Sequence, residues 1–210
     1  MEKLKIKVCG LNRPDNIKLV ANLYPDFMGF IFWPQSKRYA GSLSSETLTA
    51  IDSSIIKVGV FVNEEMQNVI DTASKYKIST IQLHGEESPG YCQSLRSKGF
   101  TIWKAFGIAS ENDLRKLHSY SNSVDTFLFD YKTAEHGGSG KGFDHNLLSH
   151  YSLSSPFILS GGIAPDDAEL ISQYSFPLLA GIDLNSRFEI APGLKNISLL
   201  NQFISKIRSL

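Results

Sequence analysis

The 210-residue sequence predicts an α/β protein folded as a single (β/α)8 barrel of the TIM type. Three observations predict it. Short apolar runs recur eight times, one per roughly 26 residues, which is the length of a strand–helix unit. Runs such as IIKVGVFV and FMGFIFW show little alternation, the mark of strands buried on both faces of a parallel sheet. The first strand–helix turn, CGLNRPD, lacks the glycine fingerprint of the dinucleotide-binding open sheet, the main rival.

The expected strands are Leu4–Val8, Phe27–Trp33, Ile56–Val62, Thr80–Leu83, Thr101–Phe106, Thr126–Phe129, Phe157–Leu159 and Leu178–Leu184. The segments between them read as helices. NEEMQNVIDTASKY opens with Asn63, a good N-cap, and sets Met66, Val69, Ile70 and Ala73 on one helical face. SENDLRKLHSY places Asp113 three residues after Ser110, close to a capping box. Between Tyr131 and Pro156, around the glycine-rich HGGSGKGFDH, there is room for only a short helix. PDDAELISQY begins with Pro165 and two acids, as helix N-termini do. NISLLNQFISKIRSL repeats Ile197, Leu200, Phe203 (or Ile204) and Ile207 at helical spacing. No linker divides the chain, so residues 1–210 are expected to form one catalytic domain.

Lys plus Arg equals Asp plus Glu at 21 each, which leaves no electrostatic footprint for nucleic acid or an anionic membrane. No window approaches the ~18 apolar residues of a membrane span, and MEKLKIKVCG lacks the apolar stretch of a signal peptide. Cys9 and Cys92 are the only thiols and belong to no Cys-x-x-Cys pair, so neither a disulfide framework nor a metal site is expected. The expectation is a cytoplasmic protein, monomer or homodimer, with a small-molecule partner. Tyr24, Trp33 and Phe188 are candidates for exposure, Cys92 for the core. The remaining acids and lysines read as helix surface.

In such a barrel the chemistry sits at the C-terminal ends of the strands. Cys9 follows the first strand. It is either a small packed hydrophobe or a thiol facing the mouth, where a helix N-terminus or a cation raises its thiolate share. Asp130 ends TFLFDY and is either a salt-bridged cap or an acid able to donate a proton. Arg38 is either a solvated charge or a planar fork over the mouth suited to a carboxylate. His84 reads better as a hydrogen-bonded residue below the site than as a titrating group. Glycine-bearing loops cluster late, in GGSGKG at 137–142, SGGIAPDD at 160–167 and AGIDLNS at 180–186. Glycines let backbone N–H groups approach a phosphate, and barrels often hold phosphate after strands seven and eight. These loops contribute Gly161, Gly162, Asp183, Asn185 and Ser186 to the candidate substrate-binding set.

In register, KVCG, GFIFWPQSKRY, VGVFVN, IQLHG, FDYKTAEHGGSGKGFD, FILSGGI and GIDLNSRFEIAPGLKN resemble the phosphoribosylanthranilate isomerase family of tryptophan biosynthesis over nearly the whole chain. The resemblance implies an Amadori rearrangement of a phosphorylated sugar, with no cofactor and no metal. It makes Cys9 the general base and Asp130 the general acid. Arg38 then meets the anthranilate carboxylate, and Gly161, Gly162, Asn185 and Ser186 hold the phosphate. The chain departs from the family in NSR: Asn185 stands for a serine and Arg187 for a glycine, while Asn196 stands where an acid is common. A histidine-pathway isomerase, indole-glycerol phosphate synthase and a non-catalytic phosphate-binding barrel are the rival readings.

Overall fold

A strand that is apolar on both faces must be covered on both, and closing the sheet on itself does this with one layer of helices. The computed structural model describes residues 3–131 and 145–209, so the glycine-rich run 137–142 lies outside the described residues. Eight parallel strands close a barrel in chain order: β1 (Lys5–Val8), β2 (Phe27–Ile31), β3 (Ile56–Phe61), β4 (Thr80–Leu83), β5 (Thr101–Ile108), β6 (Thr126–Tyr131), β7 (Phe157–Ser160) and β8 (Leu179–Leu184). β8 returns to β1 with Lys5 opposite Gly181 and Lys7 opposite Asp183. The helices are α1 (Pro14–Ala21), α2 (Ser45–Thr49), α3 (Met66–Tyr76), α4 (Pro89–Ser97), α5 (Glu111–Lys116), α6 (His145–Leu148), α7 (Ala168–Ser172) and α8 (Ile197–Ser209). A small antiparallel hairpin, β9 (Glu189–Ala191) and β10 (Leu194–Lys195), precedes α8. Among the described residues no helix is long and apolar enough to cross a membrane.

Two apolar layers hold the fold. Phe27, Val58, Trp103, Ala105, Leu128 and Ile158 come from five different strands yet form one cluster, which only the barrel interior allows. Phe27 and Trp103 meet edge to face at 4.8 Å. Residues one step along the strands, such as Ile6, Val8, Phe30, Phe127, Phe129 and Phe157, face the helices in the larger core. α8 buries Leu200, Phe203, Ile204 and Ile207, the stripe read from its periodicity.

Several expectations are corrected here. Asn63 is not the cap of α3, which starts at Met66 after Glu65. Asn63 takes a left-handed backbone (φ 49°), which asparagine tolerates, and its Oδ1 accepts from the Glu86 N–H at 2.6 Å. It therefore joins the loops after β3 and β4. Phe188 is buried against Phe203 at 5.0 Å, whereas Tyr24 is 60% exposed and Trp33 36%. Not all lysines and acids lie on the surface. Lys7, Lys104 and Lys195 are at most 1% exposed. Each buried ammonium meets a carboxylate, Lys7 with Asp183 at 2.8 Å, Lys104 with Glu87 at 3.3 Å and Lys195 with Glu189 at 2.8 Å. Pairing is what lets such charges persist away from water.

Candidate active site

Cys9 leaves β1 with its N–H donating to the Leu184 carbonyl at 2.9 Å, which ties it to β8. A cavity of about 210 Å3 opens above the barrel interior at this end. Cys9, Asp130, Gly161, Gly162, Asp183, Asn185 and Ser186 all line it, together with Gln82, His84, Ser160 and Arg187. The side chains arrive by simple strand geometry, because residues two apart share a face. Gln82 does so from β4 with His84 just after it, and Asp183 from β8.

The thiol is 4% exposed, shielded from bulk water but facing this cavity. Gly29 on β2 makes room for it, since a Cβ there would stand 2.6 Å from the Cys9 Sγ. Burial pushes the thiol above its ordinary pKa, the Lys7 ammonium opposes this, and the Asp183 charge adds to the rise. Of the two expected influences the cation is present, as Lys7 on the thiol's own strand, but desolvation outweighs it. Burial also pushes the Asp183 carboxyl up, against the pull of Lys7. Asp183 Oδ2 accepts from Lys7 Nζ at 2.8 Å, while Oδ1 is buried without a partner among the described residues.

Across the cavity, the Asp130 side chain is 36% exposed and its Oδ2 lies 3.6 Å from His84 Nε2. His84 is therefore in the site and not below it, contrary to the sequence reading. The Gln82 amide nitrogen lies 3.1 Å from His84 Nδ1. With the amide donating, Nδ1 accepts and the neutral ring carries its proton on Nε2, toward Asp130.

Arg38 is not brought onto the cavity wall. Its Nε lies 2.9 Å and its Nη2 2.5 Å from the Glu189 carboxylate, a forked pair that raises the arginine's pKa further. Its Cδ packs on Gly10, whose φ of +80° suits glycine and where an added Cβ would come within 2.6 Å of that carbon. Arg38 thus stands beside Cys9 with its Nη1 without a partner among the described residues. Glu189 also accepts from Lys195 Nζ and from the Gly193 N–H. Despite its burial, Glu189 is held below the usual carboxylate range by these donors. Lys195 Nζ reaches on to Asn185 Oδ1 at 2.8 Å, so that side chain is turned into the protein and its backbone faces the cavity edge. After β7, Gly161 (φ 92°) and Gly162 (φ 76°) keep the chain in a left-handed turn, and among the described residues nothing beyond its chain neighbours lies within 4 Å of a Cβ built on Gly162.

Sequence reasoning missed Lys7, Gly29, Gln82 and Glu189. Spacing was the available signal for two of them: Lys7 is two before Cys9, and Gln82 two before His84.

Fold and site together define a class: a (β/α)8-barrel enzyme with a thiol after β1 and a carboxyl on β6 lining one polar cavity at the C-terminal mouth. The family model for N-(5'-phosphoribosyl)anthranilate (PRA) isomerase matches residues 6–206, and the chain belongs to this family. An N-(5'-phosphoribosyl)anthranilate isomerase of Parabacteroides distasonis is 47% identical over 205 residues, covering 96% of this chain and 92% of its own. The crystal structure of phosphoribosyl anthranilate isomerase from Thermotoga maritima superposes with a TM-score of 0.81 at 31% identity, over 99% of this chain and 100% of its own. A phosphoribosyl anthranilate isomerase in complex with reduced 1-(o-carboxyphenylamino)-1-deoxyribulose 5-phosphate also gives 0.81, at 27% identity and the same coverage. Monomers generated from the dimeric Thermotoga maritima enzyme give 0.77 at 27% identity, again over 99% and 100%.

Proposed function

We propose that this chain isomerises N-(5'-phosphoribosyl)anthranilate to 1-(2-carboxyphenylamino)-1-deoxyribulose 5-phosphate, a step of tryptophan biosynthesis, by general acid–base catalysis. One observation carries the residue assignment: Cys9 and Asp130 face one cavity whose rim is formed by the Gly161–Gly162 and Asn185–Ser186 turns. Asp130 protonates the ribose ring oxygen and the ring opens to an imine. The Cys9 thiolate removes the C2' proton, which the protonated imine has made acidic. The enolamine then gains a proton at C1' and loses one from the C2' hydroxyl, which yields the ketone with atoms and charge balanced. His84, 3.6 Å from Asp130, presents a ring proton to its carboxylate and keeps it facing the substrate.

The backbone at Gly161, Gly162, Asn185 and Ser186 takes the phosphate. Arg187, exposed at the same rim, adds a cation beside it. Asp183 Oδ1, buried and free, accepts a sugar hydroxyl. Arg38 meets the anthranilate carboxylate through the edge that Glu189 leaves open. The chain works as one catalytic unit in the cytoplasm, as a monomer or a homodimer. The loss of anthranilate fluorescence on adding enzyme to the phosphoribosyl substrate tests the reading. No turnover by the folded protein, with the substrate analogue still bound, would leave a phosphate-binding barrel instead.

A further inference from the structure

A buried sulfur loses the water that would stabilise a thiolate, yet a base must be a thiolate when substrate arrives. Lys7 is the cation placed against it. It lies two residues before Cys9 on β1, on the same inward face. Its side chain is 0% exposed, and its Nζ is 2.8 Å from Asp183 Oδ2, on β8 at the matching register position. The Lys7 charge opposes the rise that burial imposes on the thiol. One ammonium thus faces two groups that both carry negative charge when ionised.

We propose that Lys7 is the positioning residue of the Cys9 base: its buried ammonium is divided between the Asp183 carboxylate and the Cys9 sulfur, and this division sets how much of the thiol is ionised. The proposal deepens the reading of Cys9 as the base and rests on it. Lys7 and an ionised Asp183 are together neutral, so a thiolate leaves the trio with one net negative charge. A sugar hydroxyl donating to the free Asp183 Oδ1 draws carboxylate charge toward the ligand and leaves more of the ammonium to the sulfur. Substrate binding therefore activates its own base. Other charged or titratable groups facing the sulfur's surroundings are Lys195 from β10 and Arg38 after β2, with Asp130 on β6, His84 after β4 and Arg187 after β8 on the cavity wall.

The test reads the thiol itself. In a Cys92→Ala background Cys9 is the single cysteine, and its alkylation by iodoacetamide is followed against pH. Lys7→Met raises the ionisation midpoint by about one pH unit or more, which slows alkylation about tenfold near neutral pH. In the same variant kcat falls about tenfold at neutral pH and recovers as the pH rises, while KM changes little. Lys7→Arg keeps the charge and restores part of both. Asp183→Asn shifts the midpoint the other way, because the ammonium no longer has a second claimant. If Lys7→Met does not fold, Asp183→Asn and the double variant, which lacks both charges, decide the matter: the double variant must ionise at higher pH than Asp183→Asn alone. A midpoint that stays in place in every folded variant, or a kcat loss equal at all pH values, overturns the proposal. An active Cys9→Ala enzyme refutes the base reading separately, since the alkylation midpoint does not depend on turnover.

Discussion

Cys9 and Asp130 divide the proton work, and each can be read by one substitution. A positioned proton transfer contributes about 10²–10⁴ in rate, so Cys9→Ala and Asp130→Asn should each lower kcat by about 100-fold or more. Their melting temperatures should stay close to the parent's, because Asp130 is partly exposed and the small Cys9 thiol borders the cavity. Fluorescence turnover and a thermal melt check both halves. Arg38→Ala should raise KM about tenfold or more with a small change in melting temperature, since Glu189 keeps its Lys195 partner at 2.8 Å. The thiol and the acid were legible because each directly follows or ends an apolar run. Lys7 was not. In KLKIKV the charges alternate with apolar residues, which reads as a half-solvated strand. That face is interior only because β8 returns Asp183 from 176 positions away, and no local pattern reports such a meeting.

The strands were legible as elements and less so at their ends. β2 stops at Ile31 rather than Trp33, and β6 runs on through Asp130 to Tyr131, where pairing with β5 continues. The β9–β10 hairpin, of three and two residues, is too short to show any period. It nevertheless supplies Glu189 and Lys195, which hold Arg38 and Asn185. A second strut works on the other side of the barrel. Lys104 on β5 donates to the carbonyls of Leu83 and Gly85 and pairs with Glu87, whose carboxylate accepts from the Asn63 and Gly85 N–H groups. Lys104→Met strands that buried acid and should cost about 3–5 kcal/mol of stability. Denaturant unfolding measures the loss. Well below the transition the kcat should stay near the parent's, because Lys104 does not line the cavity.

One buried thiol and three half-buried phenols should set the molecule's alkaline limit. Burial pushes the Cys92 thiol to about 11 from a reference of 9.0, and the Tyr91 and Tyr174 phenols to about 12 from 10.0. Burial raises Tyr151 as well, its hydroxyl donating to the Ser155 carbonyl at 2.6 Å. In each case the folded pKa lies above the unfolded one. The stabilisation is therefore complete below the unfolded value and fades as pH climbs through the folded one. Melting temperature should begin to fall above about pH 9 and continue falling to about pH 12, the window these shifts define. In Cys92→Ala the first part of that decline should flatten, on top of a pH-independent loss from the cavity it leaves. A flat profile from pH 8 to 12 would contradict this account.

Closure of β8 onto β1 also dictates when the enzyme can first work. The sulfur follows the first strand of the barrel and is synthesised before the strands that enclose it. The carboxylate and the second ammonium that act on its charge come at 183 and 195. Until that last stretch emerges and docks, the first strand is a lysine-bearing edge with a bare thiol and no enclosed chamber. A chain released before the eighth strand holds both proton-handling side chains and should convert nothing.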